Sequence, residues 1–183
     1  EVPAPSIAPI VSTDTSAIEI PAGTTFKTAI PDDEFRKFLN ESFFAGKVKD
    51  DETFTKEMLE TLKAYTGVLD VRGLGIVNLK GVEYFTGVTE LDCSHNNLQL
   101  LDLSTMTQLK KLDVSYNNLV EITFAKETVL EQLNCSNNSL ALLNLANFTT
   151  IKELDCSNNR IGLLNLAGLY NLTTLAVSYP HLT

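Results

Sequence analysis

From residue 68 onward, apolar side chains recur at a fixed interval that is neither helical nor that of a long strand. Leu91, Leu112, Leu133, Leu154 and Leu175 stand 21 residues apart, as do Cys93, Val114, Cys135, Cys156 and Val177. Each unit continues through three further apolar positions: Leu98, Leu101 and Leu103, then Leu119, Ile122 and Phe124, then Leu140, Leu143 and Leu145, then Ile161, Leu164 and Leu166. Self-similarity at such a period predicts a stack of like units, because one unit cannot bury its apolar face alone. Within a unit, Leu91-x-Cys93 alternates with period two, which predicts a short strand with both side chains on one face. Neighbouring units at ~4.8 Å then form a parallel sheet over a continuous core. Asn96, Asn117, Asn138 and Asn159 keep the same interval where the chain leaves each strand. A buried amide there is expected to bond backbone groups of its own and adjacent turns, forming a structural ladder.

The pattern ahead of the repeats divides in two. Residues 1–29 hold four of the six prolines with many Ser, Thr and Ala, and read as a tether or irregular lead. Residues 30–67 read as a helical cap. Phe35, Phe38 and Leu39 fall at helical spacing, and Asp32, Asp33 and Glu34 crowd the positive end of that helix. A second helix is expected near Thr55–Ala64, with Met58, Leu59, Leu62 and Tyr65 on one face. Residues 68–183 hold one irregular capping unit, four full units and a truncated fifth. In the irregular unit, LDVRGLGIVNL (69–79), Leu69, Val71 and Ile76 take the strand and turn positions and Leu74 replaces the asparagine.

The stretches LDCSHNNL (91–98), LDVSYNNL (112–119), LNCSNNSL (133–140) and LDCSNNRI (154–161) resemble the leucine-rich repeat, L-x-L-x-x-N-x-L. The resemblance implies an α/β solenoid of 21-residue repeats, with a parallel sheet on the concave face and an N-terminal helix–loop–helix cap. The segment 68–91 and the cap resemble bacterial surface and secreted repeat proteins of the internalin-like group, and the CSxN strand resembles repeats of Bacteroides-type bacteria. An exported, cell-surface or extracellular protein is implied. Some caps of this group retain a trace of a calcium loop. Here Gly46-Lys47-Val48-Lys49-Asp50-Asp51-Glu52 puts lysines where oxygen ligands belong and Glu57 is poorly spaced, so no calcium is expected.

Composition narrows the function classes. The chain has 183 residues, 44% hydrophobic and 20% charged, which is globular. Its net charge of −9, without a basic block, disfavours nucleic acid. No stretch approaches the ~20 apolar residues of a membrane-spanning helix. The chain begins at Glu1 with no leader, so either a targeting segment has been removed or a boundary was chosen. Cys93, Cys135 and Cys156 share one core slot with Val114 and Val177, and three free, buried thiols are expected, with no metal site. The two histidines, His95 and His181, have no evident serine–acid partnership, the serine column (Ser94, Ser115, Ser136, Ser157, Ser178) follows the repeat, and no phosphate-binding loop is present. No catalytic residue and no cofactor is expected, and the chain is not read as an enzyme.

A solenoid presents an extended concave face for binding. The position before each core leucine reads Glu90, Lys111, Gln132, Glu153 and Thr174. The position after it reads Asp92, Asp113, Asn134, Asp155 and Ala176, and beyond the serines stand His95, Tyr116, Asn137, Asn158 and Tyr179. Ten of these are the candidate ligand-binding residues: Glu90, Asp92, His95, Lys111, Asp113, Tyr116, Gln132, Asn134, Glu153 and Asp155. A polar, acidic face of this kind suits a basic patch on a protein partner, or a sugar whose hydroxyls meet carboxylates while Tyr116 stacks on the ring. The bland alternative is a solubilising aspartate of the repeat, which its recurrence at Asp70 favours. A spacer presenting another domain is a further reading. Leu100, Leu142 and Leu163 occupy a slot that is usually polar, and partial burial beside Leu101, Leu143 and Leu164 is expected. The fifth unit stops at Thr183, so Leu175, Val177 and Leu182 are expected to be covered by a second copy, as in a homodimer, or by a further domain.

Overall fold

The computed structural model describes residues 18–178. The tether reading of residues 1–17 and the readings of Tyr179, His181 and Leu182 fall outside the described residues. Three helices come first: α1 (Phe26–Ala29), α2 (Asp33–Phe43) and α3 (Lys56–Ala64). Asp32 starts α2 by accepting the amides of Glu34 and Phe35, at 3.1 and 3.0 Å, and Thr55 starts α3 by accepting the amide of Met58 at 3.2 Å. Each cap satisfies donors that the first helical turn cannot. The inward faces bury Phe35 and Leu39 from α2 and Met58, Leu59 and Leu62 from α3 against Phe54 and Phe85. Packing begins ahead of residue 30, where the change of pattern placed the start of the cap. Phe26 and Ala29 are buried, and Phe26 N donates to Glu52 O at 2.8 Å while Phe54 N donates to Thr24 O at 2.9 Å. A helix of four residues is too short to carry a periodic signal.

The remainder is a coil of turns stacked along one principal sheet. Strands β1 (Gly67–Asp70), β2 (Val88–Asp92), β4 (Lys111–Asp113), β6 (Gln132–Asn134), β7 (Glu153–Asp155) and β8 (Thr174–Ala176) lie in that order, all parallel. A short 3₁₀ turn, Val82–Tyr84, links β1 to β2. The register puts Leu69, Leu91, Leu112, Leu133, Leu154 and Leu175 in one row, so the 21-residue period is the period of the sheet. A second parallel pair, β3 (Leu100–Leu103) with β5 (Glu121–Phe124), lies across the turns. Between the two sides, Asn96, Asn117, Asn138 and Asn159 each accept an amide from the preceding unit and donate to carbonyls of that unit and their own. Asn117, for instance, accepts from Leu98 N at 3.0 Å and donates to Cys93 O at 3.0 Å and Val114 O at 3.1 Å. Among the described residues no buried side-chain nitrogen or oxygen lacks a partner.

Cap and coil share the apolar packing around Tyr84 and Phe85 and are tied further through Asp32 and Gly81. The second oxygen of Asp32 accepts the amides of Val77 and Asn78 at 2.9 and 3.0 Å, so one side chain ends a helix and ties it to the first turn. Nearby, Gly81 has a positive φ of 107°, and a Cβ there would overlap Ile30 Cδ1. One expectation fails on the far flank. Leu100, Leu142 and Leu163 are 63, 72 and 80% exposed, where partial burial was expected. Side chains alternate along this segment, and Leu101 and Leu143 already take the inward direction.

Candidate functional site

The open face of the six-stranded sheet is a groove of about 460 Å³ running across every strand from β1 to β8. Two rows of side chains rise from it because the strands are in register. The first row is Glu90, Lys111, Gln132, Glu153 and Thr174, and the second is Asp70, Asp92, Asp113, Asn134, Asp155 and Ala176. In the first row Glu90 meets Lys111 at 3.4 Å, both partly exposed, and Gln132 and Glu153 follow beside them. Exposed pairs of this kind contribute little, about 0–1 kcal/mol, so the row remains adaptable.

The second row is more committed than its composition suggests. Asp92 Oδ1 accepts both the amide of Ser94 at 3.0 Å and its hydroxyl at 2.6 Å. Asp113 does the same with Ser115, Asn134 with Ser136 and Asp155 with Ser157. Each side chain therefore closes the turn that ends its own strand, the local bonding for which Asp and Asn are suited. The outer oxygens are also partly engaged. Asn134 Nδ2 donates to Asp113 Oδ2 at 3.0 Å, and Arg72 reaches Asp70 Oδ2 at 2.6 Å and Asp92 Oδ2 at 3.5 Å. Hydrogen bonding to Asp70 and the charges of Asp70 and Asp92 raise the pKa of Arg72 further above its ordinary value. The sequence reading passed over Arg72 as a contributor to this face. Its signal was positional: it stands opposite Ser94, in the serine column of the irregular unit, and is the one cation in that column.

His95 and Tyr116 stand one residue past the serines that follow β2 and β4, outside the residues that line the groove. Their rings are stacked with centroids 4.5 Å apart and planes 8° from parallel. Both are exposed, Tyr116 by 54%. Asn137 and Asn158, outside the ten candidates, occupy the same column and bond to each other at 3.0 Å. The structure thus brings eight of the ten candidate residues together in the two strand rows of the groove, and sets His95 and Tyr116 apart from them as a pair in the turns beyond.

Comparison with known proteins resolves the family. The family described as "Endo-beta-N-acetylglucosaminidase EndoS LRR domain" matches residues 49–159, more than half of the chain. The chain belongs to this leucine-rich repeat family. Internalin J of Listeria monocytogenes serotype 4b is 35% identical over 88 residues, covering 47% of this chain and 9% of that protein. Two solved internalins of L. monocytogenes str. 4b F2365 share the fold. Internalin (inlF) has 19% identity and a TM-score of 0.55 over 85% of this chain and 53% of its own, and internalin C2 has 21% and 0.53 over 87% and 80%. The chain therefore spans about a tenth of the curated relative and about half of the first of these structures. It is an internalin-like leucine-rich repeat protein with an N-terminal helical cap.

In this leucine-rich repeat solenoid the thiols of Cys93, Cys135 and Cys156 are free and buried. Burial pushes all three up, Cys156 to about 11, so each stays a neutral thiol and packs as a small apolar group. Among the described residues no group of three or more His, Cys, Asp or Glu side chains is placed to share a metal ion. In the cap loop read for calcium, both oxygens of Asp50 are held by Arg36, at 2.7 and 3.1 Å.

Proposed function

We propose that the chain is a non-catalytic recognition module that binds a protein partner through the open face of its sheet. The observation that carries this reading is the uninterrupted groove: six parallel strands in register offer two rows of solvent-facing side chains, polar in both rows from β2 to β7. Such a surface is large enough to meet a folded partner and offers varied hydrogen-bonding groups for specificity. Its likeness to internalins supports an exported protein acting at or outside a bacterial surface. No helix among the described residues is long and apolar enough to cross a membrane. Fold supports binding as a class, and the site has to supply the partner.

A glycan is the second reading. Gln132 and Asn134 stand beside Glu153 and Asp155 in the groove, a mix of amides and carboxylates suited to hydroxyl groups, and the matching family is named for the repeat domain of an endo-β-N-acetylglucosaminidase.

The test uses the first row, because the second row closes turns and its substitution would disturb folding. The combined variant Glu90→Lys, Gln132→Lys, Glu153→Lys would be compared with the native chain and with Leu142→Ser on the opposite flank. Each would be used to capture partners from host-surface and mucus extracts before and after enzymatic deglycosylation. Loss of a captured protein in the row variant alone, insensitive to deglycosylation, supports the reading. Loss on deglycosylation favours the glycan, equal capture by all three moves the site off this face, and no capture by any favours a spacer.

A further inference from the structure

The stacked rings of His95 and Tyr116 belong to a column whose backbone explains why they are unusual. Gly73, His95, Tyr116, Asn137 and Asn158 have φ values of 66, 55, 53, 55 and 54°, all left-handed. They are in register, because Gly73 N donates to Ser94 O, His95 N to Ser115 O, Tyr116 N to Ser136 O and Asn137 N to Ser157 O, at 2.9–3.1 Å. Glycine and asparagine are the residues that reach this conformation most readily, and histidine reaches it more often than most. Tyrosine is the outlier. A rigid structure that keeps an unfavoured residue at an exposed turn, where its own next repeats use asparagine, invites a functional explanation.

The geometry of the pair defines what it offers. The two rings come from successive repeats and lie nearly parallel, so their normals follow the stacking direction of the solenoid. On the Tyr116 side the next place is filled by Asn137, whose amide is engaged with Ser136 Oγ and Asn158 Nδ2. On the His95 side the next place belongs to Gly73, which has no side chain, and no atom other than those of its chain neighbours Arg72 and Leu74 lies within 4 Å of the position a Cβ would take. The open ring face of His95 therefore borders a slot about one repeat wide. The nearest cation, Arg72, is turned onto Asp70 and Asp92. Arg72, the residue before Gly73, lines the groove together with Asp70 and Asp92, and the whole chain carries −9.

We propose that this slot receives an arginine side chain of the protein partner, its guanidinium stacking on the open face of His95, which Tyr116 backs, while the negative charge of the chain attracts it. A planar cation fits a one-repeat slot beside an aromatic face, and the negative field of the sheet attracts it. Lysine, a compact point charge, gains the field without the stacking. The inference rests on the protein-recognition reading and narrows it to a partner presenting an exposed arginine.

The test is a titration of the full chain, followed by the aromatic NMR signals of His95 and Tyr116. The ligands are acetyl-Gly-Arg-Gly-Arg-Gly-amide, its lysine counterpart, and diacetylchitobiose. Tyr116→Asn and His95→Asn serve as variants, since asparagine already fills this column, and thermal unfolding reports whether they fold. Expected are shifts of both residues with the arginine peptide, affinity roughly three- to tenfold above that of the lysine peptide, and loss of that margin in either variant at an unchanged or raised Tm. Equal binding of the two peptides, or a margin that survives in the variants, overturns the proposal, as does chitobiose moving these signals when the arginine peptide does not. The two readings fail separately. If the strand-row variant loses the captured protein and Tyr116→Asn does not, the recognition face stands and the arginine slot falls.

Discussion

Asn117 makes four hydrogen bonds to backbone groups of two repeats, and all are buried. Its replacement by alanine strands the amide of Leu98 and leaves the carbonyls of Cys93 and Val114 short of a donor, beside the fully buried Leu119 and Cys93. A buried polar group left without a partner costs about 1–3 kcal/mol, so Asn117→Ala is expected to cost about 2–4 kcal/mol in all. For a chain of this size that is a fall in Tm of roughly 5–12 °C. Comparison with Asn97→Ala, on the exposed side of the same turn in the preceding unit, checks it; equal small losses would show that the ladder is dispensable. Tyr116 shows the opposite balance. Its left-handed backbone costs about 1–2 kcal/mol, and an aromatic pair returns about 0.5–1.5 kcal/mol, so the residue is close to neutral for stability. Leucine and asparagine columns are visible in the sequence because burial and backbone pairing repeat with the coil. The left-handed turn at His95 and Tyr116 is hidden, since neither residue type announces it as glycine does at Gly73.

The cap is an element held by one cation. Arg36 is 5% exposed and donates to Ile30 O at 2.8 Å and Pro31 O at 3.1 Å, while its other nitrogens bridge Asp33 and Asp50. Burial opposes its charge, but the hydrogen bonds it donates to Asp50 and Asp33 outweigh that and raise its pKa overall. The guanidinium thus ties the start of α2 to the loop before α3, in the loop where the sequence offers lysines and aspartates to a cation search. The sequence could show that the loop lacks calcium ligands in the right order, but not that a side chain 14 residues away reaches its aspartate. The bond from Arg36 holds Asp50 below its ordinary value of 3.8. A carboxylate with a depressed folded pKa stabilises above its unfolded pKa and loses that contribution as pH falls through the folded value. Thermal unfolding followed from pH 6 to pH 2 is therefore expected to fall for the native chain below about pH 4. Asp50→Asn starts lower at pH 6 and loses less on acidification. Parallel curves for the two proteins would show that the pair contributes nothing.

At the scale of the whole molecule, each repeat touches only its neighbours, so stability is expected to be distributed along the coil rather than shared equally. The distribution is uneven. At the cap end Phe26, Phe35, Leu39, Leu62 and Phe85 are completely buried behind β1 and β2. Toward β8 burial thins: Leu164 and Leu172 are only partly covered, and Leu166, Leu175 and Val177 are 36–38% exposed. The period of the coil was fully legible, because every unit repeats the same apolar spacing. The thinning at β8 was anticipated from the truncated fifth unit with Leu175 and Val177, whereas the outward turn of Leu100, Leu142 and Leu163 was not, because it depends on which member of each leucine pair the coil turns inward. Equivalent backbone amides report the gradient directly. Cys93 N bonds Asp113 O at 2.9 Å and Cys156 N bonds Ala176 O at 3.0 Å, with the same geometry in different units. Since local opening spans energies from near zero up to global unfolding, the Cys156 amide of this chain is expected to exchange with deuterium about tenfold or more faster than that of Cys93, with Cys135 between them. Identical exchange at all three positions would mean that cap and coil open as one cooperative unit. A mid-coil Leu133→Ala, which removes a buried side chain from β6, would separate the cases: in the graded coil it accelerates Cys135 and Cys156 while sparing Cys93, whereas in a single cooperative unit it accelerates all three alike.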